Sequence, residues 1–159
     1  MKNKSEISVI LHNIRSVYNV GAIFRTAEAA GISKIYLTGY TPTPLDRFER
    51  PRKDLAKAAL GAEKIIPWQS FKTIGPILNK LKKEKVKIIA IEQSPKSVDY
   101  KKIKVSKDTA FIVGNEVKGL SKSILSKCDV VAEIPMKGKK ESLNVSVSFG
   151  IALFRILNI

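Results

Sequence analysis

Residues 111–121 read Phe-Ile-Val-Gly-Asn-Glu-Val-Lys-Gly-Leu-Ser, and their order decides the fold class. The first three close an apolar run, Thr109–Val113, rich in the β-branched and aromatic residues of a buried strand. Gly114 and Gly119 punctuate a polar loop, and Ser121 opens a short helical pattern that reaches Lys127. The loop comes near a phosphate loop, but G-x-x-x-x-G-K-[ST] needs lysine where Leu120 stands. Glu116 would also set an acid against triphosphate oxygens. The glycines therefore serve either turn geometry alone or the approach of backbone donors to a less charged ligand.

Outward from that unit the pattern repeats. Strands are predicted at Ile7–Leu11, Lys34–Thr38, Val86–Glu92 and Asp129–Ile134. Val20, Ile23, Phe24 and Ala27 follow helical spacing, with Asn19 as the N-cap and Gly31 as the stop. Further helices are predicted at Leu55–Leu60, at Phe71–Lys85 with Gly75-Pro76 delaying its start, and at Ser142–Leu157. Alternating strands and helices imply an α/β fold, a mainly parallel sheet with helices on both faces. Ligands in such sheets bind beyond the carboxyl ends of the strands.

The 159 residues suit one domain, 1–159. No run of about 18 apolar residues is present, so no membrane span is expected. One cysteine, Cys128, fits a reducing compartment, with the cytoplasm as default. One His and one Cys make no zinc cluster, no metal is expected, and His12 with Cys128 has no context as a catalytic pair. Against 14 acids stand 29 Lys and Arg, a formal net charge of +15. A domain this basic meets a polyanion, and nucleic acid is favoured over membrane. Eleven lysines fall between Lys72 and Lys107, which is also what a solvated, lysine-rich face would show.

Two more loops follow strands. In the first, Arg15, Asn19 and Arg25 frame a helix start; Arg25 is either functional or a surface ion pair with Glu28. In the second, Lys137, Lys139 and Lys140 precede Ser142, Asn144, Ser146 and Ser148, polar residues crowding the mouth of an apolar helix. Capping by Ser142 accounts for one or two of them and leaves Asn144 and the exposed Ile134-Pro-Met136 edge unexplained.

Together the loops resemble the SpoU (TrmH-type) family of RNA ribose 2′-O-methyltransferases, of the SPOUT superfamily. NVGAIFRTAEAAG (19–31), IVGNEVKGLS (112–121) and IPMKGKKESLNVSVSFGIALF (134–154) look like its three motifs, in order. LAKAALGAEKIIPW (55–68) is similar to the segment between the first two. The resemblance implies a C-terminal α/β trefoil knot, a homodimer with the pocket near its interface, and S-adenosylmethionine as cofactor. It places Glu92, Gln93, Gly114, Ile134, Met136, Ser142, Leu143 and Asn144 at the cofactor. It makes Arg25 catalytic, with Asn19, Glu116, Ser142 and Asn144 around it, and Arg15, Arg25, Lys137, Lys139 and Lys140 as RNA contacts. The implied partner is RNA, tRNA ahead of ribosomal RNA because the chain is close to a bare catalytic core. A non-catalytic RNA-binding relative is the alternative of another class.

Overall fold

The computed structural model describes residues 5–105 and 107–159. Seven strands form one sheet: β1 (Ile7–His12), β2 (Lys34–Thr38), β3 (Trp68–Phe71), β4 (Lys87–Ile91), β5 (Val98–Asp99), β6 (Thr109–Val113) and β7 (Val130–Glu133). Their order is β3-β2-β1-β6-β4-β7-β5, and every pairing is parallel. The helices are α1 (Val17–Ala29), α2 (Lys53–Ala59), α3 (Ala62–Ile65), α4 (Gly75–Lys83), α5 (Lys122–Leu125) and α6 (Val145–Leu157).

Period-two alternation along each strand sorts its side chains between two cores. Val9, Leu11, Ile35, Leu37, Ile89, Phe111 and Val113 point to one face and pack with Val20, Ile23 and Phe24 of α1 and Phe149 and Leu153 of α6. Ile10, Tyr36, Ile88, Ala90, Ala110 and Ile112 point to the other, under Ile77, Leu78 and Leu81 of α4 and Ile124 of α5. Strands covered on both faces read as continuous apolar runs, as β2, β4 and β6 do.

The structure corrects several details. Ser16, not Asn19, caps α1, its hydroxyl accepting from Asn19 N at 3.2 Å. Phe71 ends β3 instead of starting α4, which begins at Gly75 with Pro76 in its first turn, where proline's missing N–H costs nothing. Asn144, not Ser142, caps α6. Strands β3 and β5, at the two edges of the sheet, are additional to the sequence reading. His12 and Cys128 make no pair: His12 Nδ1 lies 2.8 Å from Thr38 Oγ1, and Cys128 Sγ donates to Ile124 O at 3.3 Å. Burial pushes the Cys128 thiol up to about 11.

Candidate active site

A cleft of about 310 Å³ opens where the carboxyl ends of β4, β6 and β7 meet the start of α6. Ile91, Ala132, Ile134, Met136 and Leu143 give it apolar walls, while Gln93 and Ser142 add polar groups. Three carboxylates line it, Glu92, Glu116 and Glu141, against one cation, Lys118. That balance disfavours a polyphosphate and suits a ligand carrying positive charge.

The 114–121 loop is built tightly. Asn115 Oδ1 accepts from the amides of Val117 and Lys118 at 2.9 and 2.8 Å, closing a turn that ends at Gly119, φ +63°. A Cβ on Gly119 would run into the Glu92 carboxylate, and one on Gly114 would sit 2.7 Å from Leu120 Cδ2. Glu92 accepts from Leu120 N at 3.0 Å, fastening this loop to the end of β4. Gln93 Nε2 donates to Glu141 O at 2.7 Å and fastens the third loop there too.

One chain of hydrogen bonds joins all three loops. Glu116 accepts from Arg15 N at 3.0 Å, from Ser16 N at 3.0 Å and from Asn19 Nδ2 at 3.1 Å. Asn19 Oδ1 in turn accepts from Asn144 Nδ2 at 3.1 Å, and Asn144 Oδ1 accepts from the amides that open α6. Asn19 is buried, so its amide must be satisfied on both sides, and Glu116 and Asn144 do this. Glu116 thus ties down the segment leading into α1 from a hundred residues away. Burial works to raise its pKa, but the donated amides of Arg15 and Ser16 and the Asn19 side chain outweigh it and hold the carboxyl below its usual range. Glu116 is thus an ionised, fully engaged carboxylate and a poor acceptor for a substrate proton.

Of the residues predicted at the cofactor, Glu92, Gln93, Gly114, Ile134, Met136, Ser142 and Leu143 line the cleft; Asn144 stands beside it in the hydrogen-bond chain. Lys137, Lys139 and Lys140 are exposed in the segment between Met136 and Glu141, both of which line it. Arg15 gives its amide to Glu116, and its side chain is exposed. Arg25 is not brought to the cleft. It lies in a shallow groove with Tyr18, Ala22, Thr26, Ala29, Ala58 and Phe154, on the outer face of α1. Among the described residues no carboxylate pairs with it, so the ion pair with Glu28 is absent. The sequence reading missed Asn115, whose signal was its place between Gly114 and Glu116. Part of the lysine-rich stretch lies elsewhere: Lys87 Nζ donates to Lys104 O and Lys107 Nζ to Lys85 O, at the amino ends of β4 and β6.

The profile of the SpoU rRNA Methylase family matches residues 6–154. A tRNA (guanosine(18)-2′-O)-methyltransferase of Escherichia coli is 29% identical over 96% of this chain and 63% of its own length. The structure of an AdoMet-bound rRNA methyltransferase from Sinorhizobium meliloti superposes with a TM-score of 0.85 at 31% identity, over 97% of this chain and 56% of that one. A TrmH/SpoU tRNA modifying enzyme of A. aeolicus gives 0.83 at 28%, over 98% and 75%. The chain spans about six tenths of the length of the curated relatives it matches.

Proposed function

This chain belongs to the SpoU methylase family, and from that premise we propose that it methylates a ribose 2′-hydroxyl of RNA using S-adenosylmethionine. The observation that carries the reading is the Glu116–Asn19–Asn144 chain, which locks the three family motifs around one acid-lined, partly apolar cleft. The lining fits the cofactor: Ile91, Ile134, Met136 and Leu143 suit an adenosine's flat and apolar parts, and the carboxylates suit a cation. Bound there, the cofactor supplies an electrophilic methyl group whose sulfonium charge vanishes on transfer.

The protein's own tasks are alignment and charge. The walls from β4, β7 and α6 hold the donor, and the basic 137–140 segment holds the RNA backbone at the mouth. Arg25 grips the phosphate beside the reacting ribose and stabilises the developing alkoxide; a guanidinium serves as hydrogen-bond donor and positive charge and does not remove the proton itself. Glu116 positions the loops, and the proton leaves through phosphate or solvent.

Arg25 reaches a cleft only from a second copy, and the chain acts as a homodimer. Supporting this, Tyr18 is 69% exposed on α1, and Val147 and Ile151 are exposed on α6, the helix whose first turns line the cleft and whose Phe154 lines the Arg25 groove. A partner laid across α1 and α6 covers that apolar face and carries Arg25 to the neighbouring cleft. The same family membership supports the knotted C-terminal threading, a single SPOUT domain and a cytoplasmic RNA-modifying role.

The test is transfer of labelled methyl from S-adenosylmethionine to unmodified tRNA and, separately, ribosomal RNA, with nucleosides identified. A 2′-O-methylnucleoside in the tRNA pool is the expected outcome. Label confined to ribosomal RNA would correct the substrate; absence of cofactor binding would overturn the reading.

A further inference from the structure

Residues 40–52, between β2 and α2, hold a feature that neither the cleft nor the groove uses. Phe48 is 60% exposed, whereas the other five phenylalanines are buried or half-buried. The guanidinium carbons of Arg47 and Arg50 lie 4.7 and 4.9 Å from its ring centroid. The turn that carries the ring is fixed by its own hydrogen bonds. Asp46 Oδ1 accepts from Phe48 N at 2.8 Å and Arg50 N at 3.0 Å, and Oδ2 pairs with the Arg50 guanidinium at 2.9 Å. Asp46 N donates to Arg50 O, and Arg52 N to Pro44 O, at 2.8 and 2.9 Å. Pro42, Pro44 and Pro51 fix further backbone angles. An exposed aromatic ring on a turn whose backbone is already fixed costs less ordering when an outside partner binds.

Its chemistry selects the partner. A flat apolar face flanked by two guanidiniums matches an unpaired nucleobase with phosphates on either side. The loop's position agrees. At one end the Tyr40 hydroxyl lies 2.9 Å from Asn115 Nδ2, and Asn115 lines the cleft. At the other the chain enters α2, whose Ala58 lines the Arg25 groove. The loop thus connects an element at the cleft to an element at the groove.

We propose that Phe48, with Arg47 and Arg50, is a stacking platform for an unpaired RNA base, setting substrate affinity and choice from outside the catalytic cleft. The proposal rests on the RNA-methyltransferase reading, and the experiment separates the two. Full-length protein, Phe48→Ala, Phe48→Leu, Phe48→Trp and Arg47→Gln are titrated with labelled unmodified tRNA and a single-stranded oligoribonucleotide over a series of salt concentrations. Cofactor affinity, thermal melting and oligomeric state are measured in parallel. Phe48→Ala and Phe48→Leu are expected to lose about five- to a hundredfold in RNA affinity, and Phe48→Trp to keep it. The salt slope should be unchanged in the Phe48 variants, because stacking releases no counterions, and shallower in Arg47→Gln. KM for RNA rises and kcat holds.

Wild-type RNA binding with unaltered affinity in Phe48→Ala overturns the platform and leaves the function standing. Equal affinity of Phe48→Leu and wild type overturns stacking as the mechanism. Dissociation of the Phe48→Ala protein into monomers overturns it in favour of a protein contact. Failure of wild type to bind any RNA removes both readings.

Discussion

The cleft and the Arg25 groove lie on adjoining parts of α1 and α6 and are built on opposite plans. In the cleft, Glu116, Asn19, Asn144 and Glu92 all have partners, and the loops they join arrive from three places in the chain. In the groove, Arg25 has no carboxylate partner among the described residues, and its neighbours are aromatic or small side chains. Groups already satisfied hold a shape; a guanidinium left without a partner is available to an external phosphate. One region is closed by bonds within the chain, and the other presents an exposed guanidinium.

That contrast breaks most visibly at Arg25. Arg25→Ala is expected to lower methyl transfer by about a hundred- to a thousandfold with cofactor affinity unchanged, in single-turnover assays beside calorimetry. Loss of cofactor binding instead would place Arg25 inside the closed region. Arg25→Lys should recover little of the rate, since an ammonium lacks the planar two-point fork. Mixing equal amounts of Arg25→Ala and Asn144→Ala proteins, each inactive alone, should restore about a quarter of wild-type activity, if each site takes its arginine from the partner. No restoration after subunit exchange would return Arg25 to its own cleft.

The closed region should respond in stability. Asn19→Ala removes a buried bridge and leaves partners on both sides, for a loss of about 1–3 kcal/mol in urea unfolding. An effect on activity with no change in stability would show that Asn19 touches substrate. Glu116 adds a pH signature. Its folded carboxyl sits below the usual value of 4.5, so its contribution is complete above that value and is lost as pH falls through the folded one. The melting-temperature gap between wild type and Glu116→Gln should therefore be steady at neutral pH and narrow below about pH 4.5. The smallest effect is expected at Cys128, whose thiol is pushed up to about 11 and donates to a helical carbonyl. Cys128→Ala should keep full activity, and the wild-type thiol should alkylate slowly at pH 8.

How much of this could be read from the residues follows from the same physics. Strands buried on both faces announce themselves, and Lys34–Thr38 and Thr109–Val113 have the predicted limits. Edge strands carry weaker patterns: Trp-Gln-Ser-Phe and Val-Asp bury few side chains, and their pairing is decided by the neighbouring strand. In the polar turn before α6, Asn144, which the sequence reading left unexplained by capping, is itself the cap. Which residue did the capping was not legible, since Ser142 and Asn144 are both good caps and Asn19 selects between them through space. Net charge pointed to a polyanion, yet Lys87 and Lys107 sit at the amino edge of the sheet, because a count has no direction.

The bonds that close the cleft span 97 residues from Asn19 to Glu116 and 125 from Asn19 to Asn144. During synthesis at about 5–20 residues per second, the amino-terminal part of α1 waits roughly 5–25 s before the groups that satisfy it exist. Until then Asn19 and the amides of Arg15 and Ser16 must be served by water, and no cleft is present to take up a ligand. Closing the site therefore costs more loop entropy than pairing β1 with β2, whose partners lie only 26 residues apart.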